Sequence, residues 1–145
     1  SKHVSKPVKV VWMREDDIKS GYFKPMTGQF LSGIVDSNND IVTWRHRVAS
    51  EEASRMQDPG GATLKKGSPI LSMFSSEKTS YNFANRLIEH CEQFTGVRLA
   101  AVRGVGATPH YFGSESFIDE VAQELEIDGL QYRLHLLRNS PKALA

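Results

Sequence analysis

The sequence predicts an α+β domain in which a mainly antiparallel sheet carries helices on one face. Two observations lead there: β-branched segments and a turn-rich hairpin come first, and two amphipathic helical patterns with start signals come last. A chain of 145 residues with 39% apolar content can bury one core, so the reading is a single subdomain over residues 1–145.

Pro7-Val8-Lys9-Val10-Val11-Trp12 is β-branched behind a proline and reads as a strand, its consecutive valines pointing to burial on both faces. Arg14 to Ser20 follows as one or two helical turns, stopped by Gly21 and Pro25. Gln29 to Val35 and Ile41 to Val48 suit strands, and Asp36-Ser37-Asn38-Asn39-Asp40 between them is built of turn formers. Residues 51–78 hold Pro59-Gly60-Gly61 and Gly67-Ser68-Pro69, with only Ile70 to Phe74 apolar enough for a short helix. The expectation for them is a mobile loop. Tyr81, Phe83, Leu87 and Cys91 fall on one side of a period-two pattern. With the turn at Thr95-Gly96 and the apolar Val97 to Val102, they predict a second hairpin.

Thr108-Pro109 reads as a helix start, threonine capping exposed amides and proline filling the first helical position. That helix is expected to reach about Leu125, with an apolar stripe of Ile118, Val121, Ala122 and Leu125. Asp128 and Gln131 form a capping box for a last helix buried through Leu130, Leu134 and Leu137 and ended before Pro141.

Charge narrows the function. Lysine and arginine number 18 against 17 acidic residues, so no net field attracts nucleic acid. No apolar run approaches the roughly 20 residues that cross a bilayer, and Cys91 has no disulfide partner in the chain. The chain opens Ser1-Lys2-His3 and ends Lys142-Ala143-Leu144-Ala145 with neither a signal region nor a motif, and it reads as an internal fragment.

Most of the reactive residues are ordinary on inspection. The five histidines lack metal-ligand spacing, and His90 and Cys91, neighbours on a strand, point to opposite faces. His46 is expected to be a satisfied sheet histidine and His110 a solvated residue of a first helical turn. Gly113-Ser114-Glu115-Ser116 lies inside a helix and lacks the nucleophile elbow. Arg14-Glu15-Asp16-Asp17 gathers acids as helix N-termini do. Arg103-Gly104-Val105-Gly106 differs, because it runs from a strand into a capped helix. Glycine permits close backbone approach there, and the helix start offers unpaired N–H groups. On local chemistry the loop is either a tight turn or a site for an anionic or oxo ligand.

Three stretches in order carry a resemblance: Lys6-Pro7-Val8-Lys9-Val10-Val11-Trp12-Met13-Arg14-Glu15-Asp16-Asp17, Tyr81-Asn82-Phe83-Ala84-Asn85, and Arg103-Gly104-Val105-Gly106 leading to Glu115-Ser116-Phe117-Ile118-Asp119-Glu120. Together they resemble the large, molybdopterin-binding subunit of bacterial molybdenum hydroxylases, the xanthine dehydrogenase and aldehyde oxidoreductase family. Ile41-Val42-Thr43-Trp44-Arg45-His46-Arg47-Val48 is similar to the isoquinoline 1-oxidoreductase branch. The resemblance implies hydroxylation of N-heterocycles or oxidation of aldehydes, with water as oxygen source and molybdopterin-bound molybdenum as electron acceptor. It also implies two partners, the rest of the large subunit and a small iron–sulfur subunit. Arg103, Gly104 and Gly106 would meet the cofactor. Val105 would stand where purine-oxidising members place a stacking phenylalanine, and Phe23 near their substrate-binding arginine, departures that argue against a purine. The family's general-base glutamate motif, Gly-x-Gly-Glu, does not occur in this sequence. The isolated chain is therefore expected to be inactive, one wall of a site. The competing reading is a non-catalytic domain that holds a partner subunit, or a family member that has lost its cofactor.

Overall fold

The computed structural model describes residues 2–51 and 79–140. The elements are α1 (Arg14–Ser20), β1 (Thr27–Val35), β2 (Ile41–Ser50), β3 (Asn85–Glu92), α2 (Ala107–Glu124) and α3 (Gly129–Leu137). The fold is α+β: a sheet in the order β1-β2-β3 with α2 and α3 sharing one core against it.

The first hairpin forms as its turn chemistry dictates. Asp36 Oδ1 accepts the N–H groups of Asn38 and Asp40, each at 2.9 Å, and Asn39 takes the left-handed conformation that asparagine tolerates. The resulting antiparallel register sets Gln29 opposite Val48, Leu31 opposite His46 and Gly33 opposite Trp44. On β2, Trp44, His46, Val48 and Ser50 alternate into the interior, the period of a strand buried on one face.

The second hairpin does not form. β3 instead pairs parallel to β2, with Trp44 opposite Arg86 and His46 opposite Ile88, so the sheet is mixed. Of Val97 to Val102, only Leu99 makes a bridge, and its partner is Phe23. The period-two pattern misled because Tyr81 and Phe83 precede the strand. They stack in the core, Phe83 lying on Trp44 with ring centroids 4.6 Å apart and Tyr81 beside Phe83, while Leu87 points outward from β3.

The N-terminal expectation also fails. Residues 7–13 form no strand, and Val10 and Trp12 are 75% and 62% exposed. A strand buried on both faces needs neighbours on both sides, and the described residues supply none.

Ile41, Trp44, Ile118, Ala122, Tyr132 and Leu136 make the core, with Val121 and Leu125 packed against it, so the stripe expected for α2 is the buried one. In α3 the stripe is a different one. Tyr132 and Leu136 are buried, whereas Leu130 and Leu134 face outward. Asp128 caps α3, its Oδ1 accepting the N–H groups of Leu130 and Gln131 at 3.0 Å, which is the Asp128 half of the expected capping box. Arg133 ties α3 to α2 through Glu115 at 2.9 Å and through Asp119. Glu115 also accepts the Tyr81 hydroxyl at 3.0 Å, so it joins both helices to the segment before β3. The loop expected over residues 51–78 lies outside the described residues apart from Glu51, whose carboxylate accepts the N–H and hydroxyl of Thr95.

Candidate functional site

The glycine loop turns twice within residues 102–107. Val105 N–H donates to Val102 O and Ala107 N–H donates to Gly104 O, both at 2.7 Å. Gly104 has φ +84° and Val105 φ +42°. Glycine adopts the first freely; for a β-branched residue the second is an outlier that the surroundings must hold in place. A Cβ on Gly104 would also lie 2.6 Å from Thr108 Oγ1. Gly106 is buried, but its φ of −77° and ψ of −18° are open to any residue. The second left-handed position is therefore Val105 and not the glycine that follows it.

The helix start is shifted as well. Gly106 is the N-cap of α2, so Thr108 and Pro109 are its second and third residues, and no side chain caps the helix. The turn closed by Ala107 N–H extends the helix backwards. Pro109 still removes no helical bond, since first-turn N–H groups lack partners within the helix. Freed from capping, the Thr108 hydroxyl accepts from Lys24 Nζ at 3.1 Å, and the same ammonium donates to Arg103 O at 3.0 Å.

Phe23 and the loop are brought side by side through the backbone. Phe23 N–H donates to Arg98 O at 2.8 Å, and Phe23 O accepts Ala100 N–H at 3.1 Å, which carries Lys24 alongside Arg103. Val105 and Gly106 line a small apolar pocket with Lys24, Pro25, Val102 and Pro109, while the half-exposed Phe23 side chain stands outside it. Arg103 is exposed, and its carbonyl is the group that Lys24 engages.

Beneath the first turn of α2 lies a polar group that sequence reasoning missed. Gln29 Nε2 donates to Pro109 O at 2.6 Å, which leaves Gln29 Oε1 facing His46 Nε2 at 2.8 Å. An amide oxygen only accepts, so His46 carries its proton on Nε2. Burial, and then the His110 ring with its centroid 5.5 Å away, push the His46 pKa down to about 4 and keep it neutral. His110 itself is buried rather than solvated, because its ring packs edge-on against His46 of the sheet. Gly113 makes room for the amide: a Cβ there would overlap Gln29 Oε1 and lie 2.9 Å from Gln29 Cδ. Ser114 is an ordinary helical serine whose hydroxyl donates to His110 O at 2.9 Å. No spacing motif marks Lys24 or Gln29; each is defined by a partner roughly 80 residues away in sequence.

Among the described residues no group of three or more His, Cys, Asp or Glu is placed to hold a metal ion, and no helix is long and apolar enough to cross a membrane. What the loop can do chemically is present main-chain N–H groups. The amides of Gly104 and Gly106 enter no main-chain hydrogen bond among the described residues.

The family model for the molybdopterin cofactor-binding domain matches residues 1–137. The beta subunit of isoquinoline 1-oxidoreductase from Brevundimonas diminuta is 25% identical over 154 aligned positions, covering 98% of this chain and 18% of that protein. The chain thus spans less than a fifth of that relative's length. With the match running from the first residue through the end of α3, the chain belongs to the molybdopterin cofactor-binding domain family.

Proposed function

We infer that this chain forms one wall of the molybdenum-cofactor site in an oxidoreductase that hydroxylates N-heterocycles or oxidises aldehydes with water as oxygen source. The observation that carries this reading is the loop at Arg103 to Gly106. Two left-handed residues fold it tightly against the start of an 18-residue helix, and the space a Gly104 Cβ would need is already taken by Thr108. Such a loop suits a group recognised through main-chain N–H donors and helix-start potential. Arg103, Gly104 and Gly106 are the residues that would hold it. The bound molybdopterin would supply the electron-accepting molybdenum. This chain's residues would fix the position of an oxo or anionic group and bound the substrate side with Val105 and Phe23. Neither side chain offers the flat stacking partner together with the cationic anchor that a purine would use. The general base, the remaining cofactor contacts and the iron–sulfur subunit would come from outside this chain.

The test compares Gly104→Val with Arg103→Ala in the intact oxidoreductase. Gly104→Val meets both a disfavoured φ and the Thr108 hydroxyl, and losing one preorganised donor in such a site costs on the order of 3 kcal/mol. It should empty the site of molybdenum or abolish turnover, whereas Arg103→Ala should keep molybdenum and a measurable rate. Normal molybdenum content and kinetics in Gly104→Val would mean that the loop is only a turn. A second reading, a domain that holds a partner subunit without catalysis, draws on the exposed Trp12, Met13, Phe94 and Phe112. It predicts loss of subunit association, with no effect of the loop variants on molybdenum content.

A further inference from the structure

The left-handed Val105 poses a question that the loop sequence leaves open. A β-branched residue at φ +42° persists only where its neighbours over-determine it. The two turn bonds act within the loop and rise and fall with it. A contact from another element that spans both ends is needed, and one is present. Lys24 Nζ donates to Arg103 O, just before Gly104, and to Thr108 Oγ1, just after the helix begins. Its own backbone is anchored, since Phe23, the residue before it, is bonded on both sides to the segment that leads into the loop. Lys24 and Val105 also line the same small apolar pocket, so the lysine meets the loop there as well as through its ammonium.

We propose that Lys24 is a positioning residue: it staples Arg103 to Thr108 and thereby holds Gly104 and Val105 in the conformation that presents the loop's amides. The staple is a property of this chain's own contacts; its importance for the cofactor rests on the function proposed above. A lysine is suited to the task because its ammonium can donate to a carbonyl and a hydroxyl at once and has no acceptor that would compete for the amides. It also leaves positive charge beside the helix start without occupying the amides themselves.

The experiment uses the full chain as it occurs in the assembled oxidoreductase, with Lys24→Met, Thr108→Val and Thr108→Ser variants. Lys24→Met keeps the apolar stem and removes the donor; Thr108→Val keeps the shape and removes the acceptor; Thr108→Ser retains the hydroxyl. Hydrogen exchange of the peptide spanning residues 102–108 is the first measurement, because Val105 and Ala107 carry the turn bonds. Lys24→Met should speed exchange there at least tenfold, Thr108→Val should do so by less, Thr108→Ser should behave as the parent, and the rest of α2 should stay protected. Unchanged exchange in Lys24→Met overturns the staple, whatever the loop binds. So does acceleration spread evenly over α2, which would mark a general loss of stability. The second measurement is the electron paramagnetic resonance spectrum of the molybdenum centre. A shifted spectrum in Lys24→Met with molybdenum still bound supports both inferences. Faster exchange with an unaltered spectrum supports the staple and refutes the cofactor reading of the loop.

Discussion

Gly113 sits inside α2, where alanine would ordinarily stabilise a helix by about 1 kcal/mol. The structure reverses the sign. A Cβ at this position would overlap Gln29 Oε1, so the Gln29 amide must swing out of its place. A glutamine tip is flexible and could move into the groove it lines beside Phe112 and Ser116. Its departure would cost the bond to Pro109 O, about 0.5–1.5 kcal/mol, and would strip His46 Nε2 of its partner. His46 is 1% exposed, so a lost partner there costs about 1–3 kcal/mol. After the helix gain is set against these losses, Gly113→Ala should destabilise by about 0.5–3.5 kcal/mol, read as a lower urea midpoint at unchanged slope. The cost runs through Gln29, so a Gln29→Ala background should turn Gly113→Ala into a gain of up to about 1 kcal/mol. If Gly113→Ala stabilises the chain equally in both backgrounds, the account of this buried group is wrong.

Other predictions follow from the same contacts. His46 is held neutral with its pKa near 4, below the 6.5 of the unfolded chain, so the stability it contributes is complete above pH 6.5 and is lost as pH falls toward 4. His46→Gln should remove on the order of 2–3 kcal/mol of that acid sensitivity, measured as urea midpoints from pH 7.5 to 4. Asp40 receives both Arg138 donors at 2.7–2.8 Å and His135 Nε2 at 3.0 Å, fastening the hairpin turn to α3. The Arg138 hydrogen bonds hold the Asp40 carboxyl below its ordinary 3.8, so this tie is fully present above that pH and fades as pH falls through the lowered value. Asp40→Asn should cost about 1 kcal/mol at neutral pH, since the pair is partly exposed, and little in strong acid. The isolated 145-residue chain should show no dye-coupled turnover of aldehydes or N-heterocycles; measurable turnover would mean that the base and cofactor contacts assigned elsewhere are not required.

What the sequence determined by itself was whatever is written in neighbouring residues. The β1–β2 turn was legible because Asp36 and Asn39 close it with their own side-chain and backbone preferences. The α2 stripe was legible because Ile118, Val121, Ala122 and Leu125 share a face at helical spacing. The glycine loop and its family were legible because motifs in fixed order survive as sequence. Tertiary structure decided the rest. In α3, a nine-residue helix with apolar side chains on more than one face, only the position of α2 and the sheet selects Tyr132 and Leu136 over Leu130 and Leu134. A period-two pattern gives strand character without pairing direction, so β3 running parallel to β2 could not be read from Leu87 and Cys91. Lys24 and Gln29 gain their roles from atoms far along the chain, whereas His46 is the satisfied sheet histidine that its strand position predicted. A hydrogen bond across 80 residues leaves no local periodicity, and only the folded backbone brings its two ends within 3 Å.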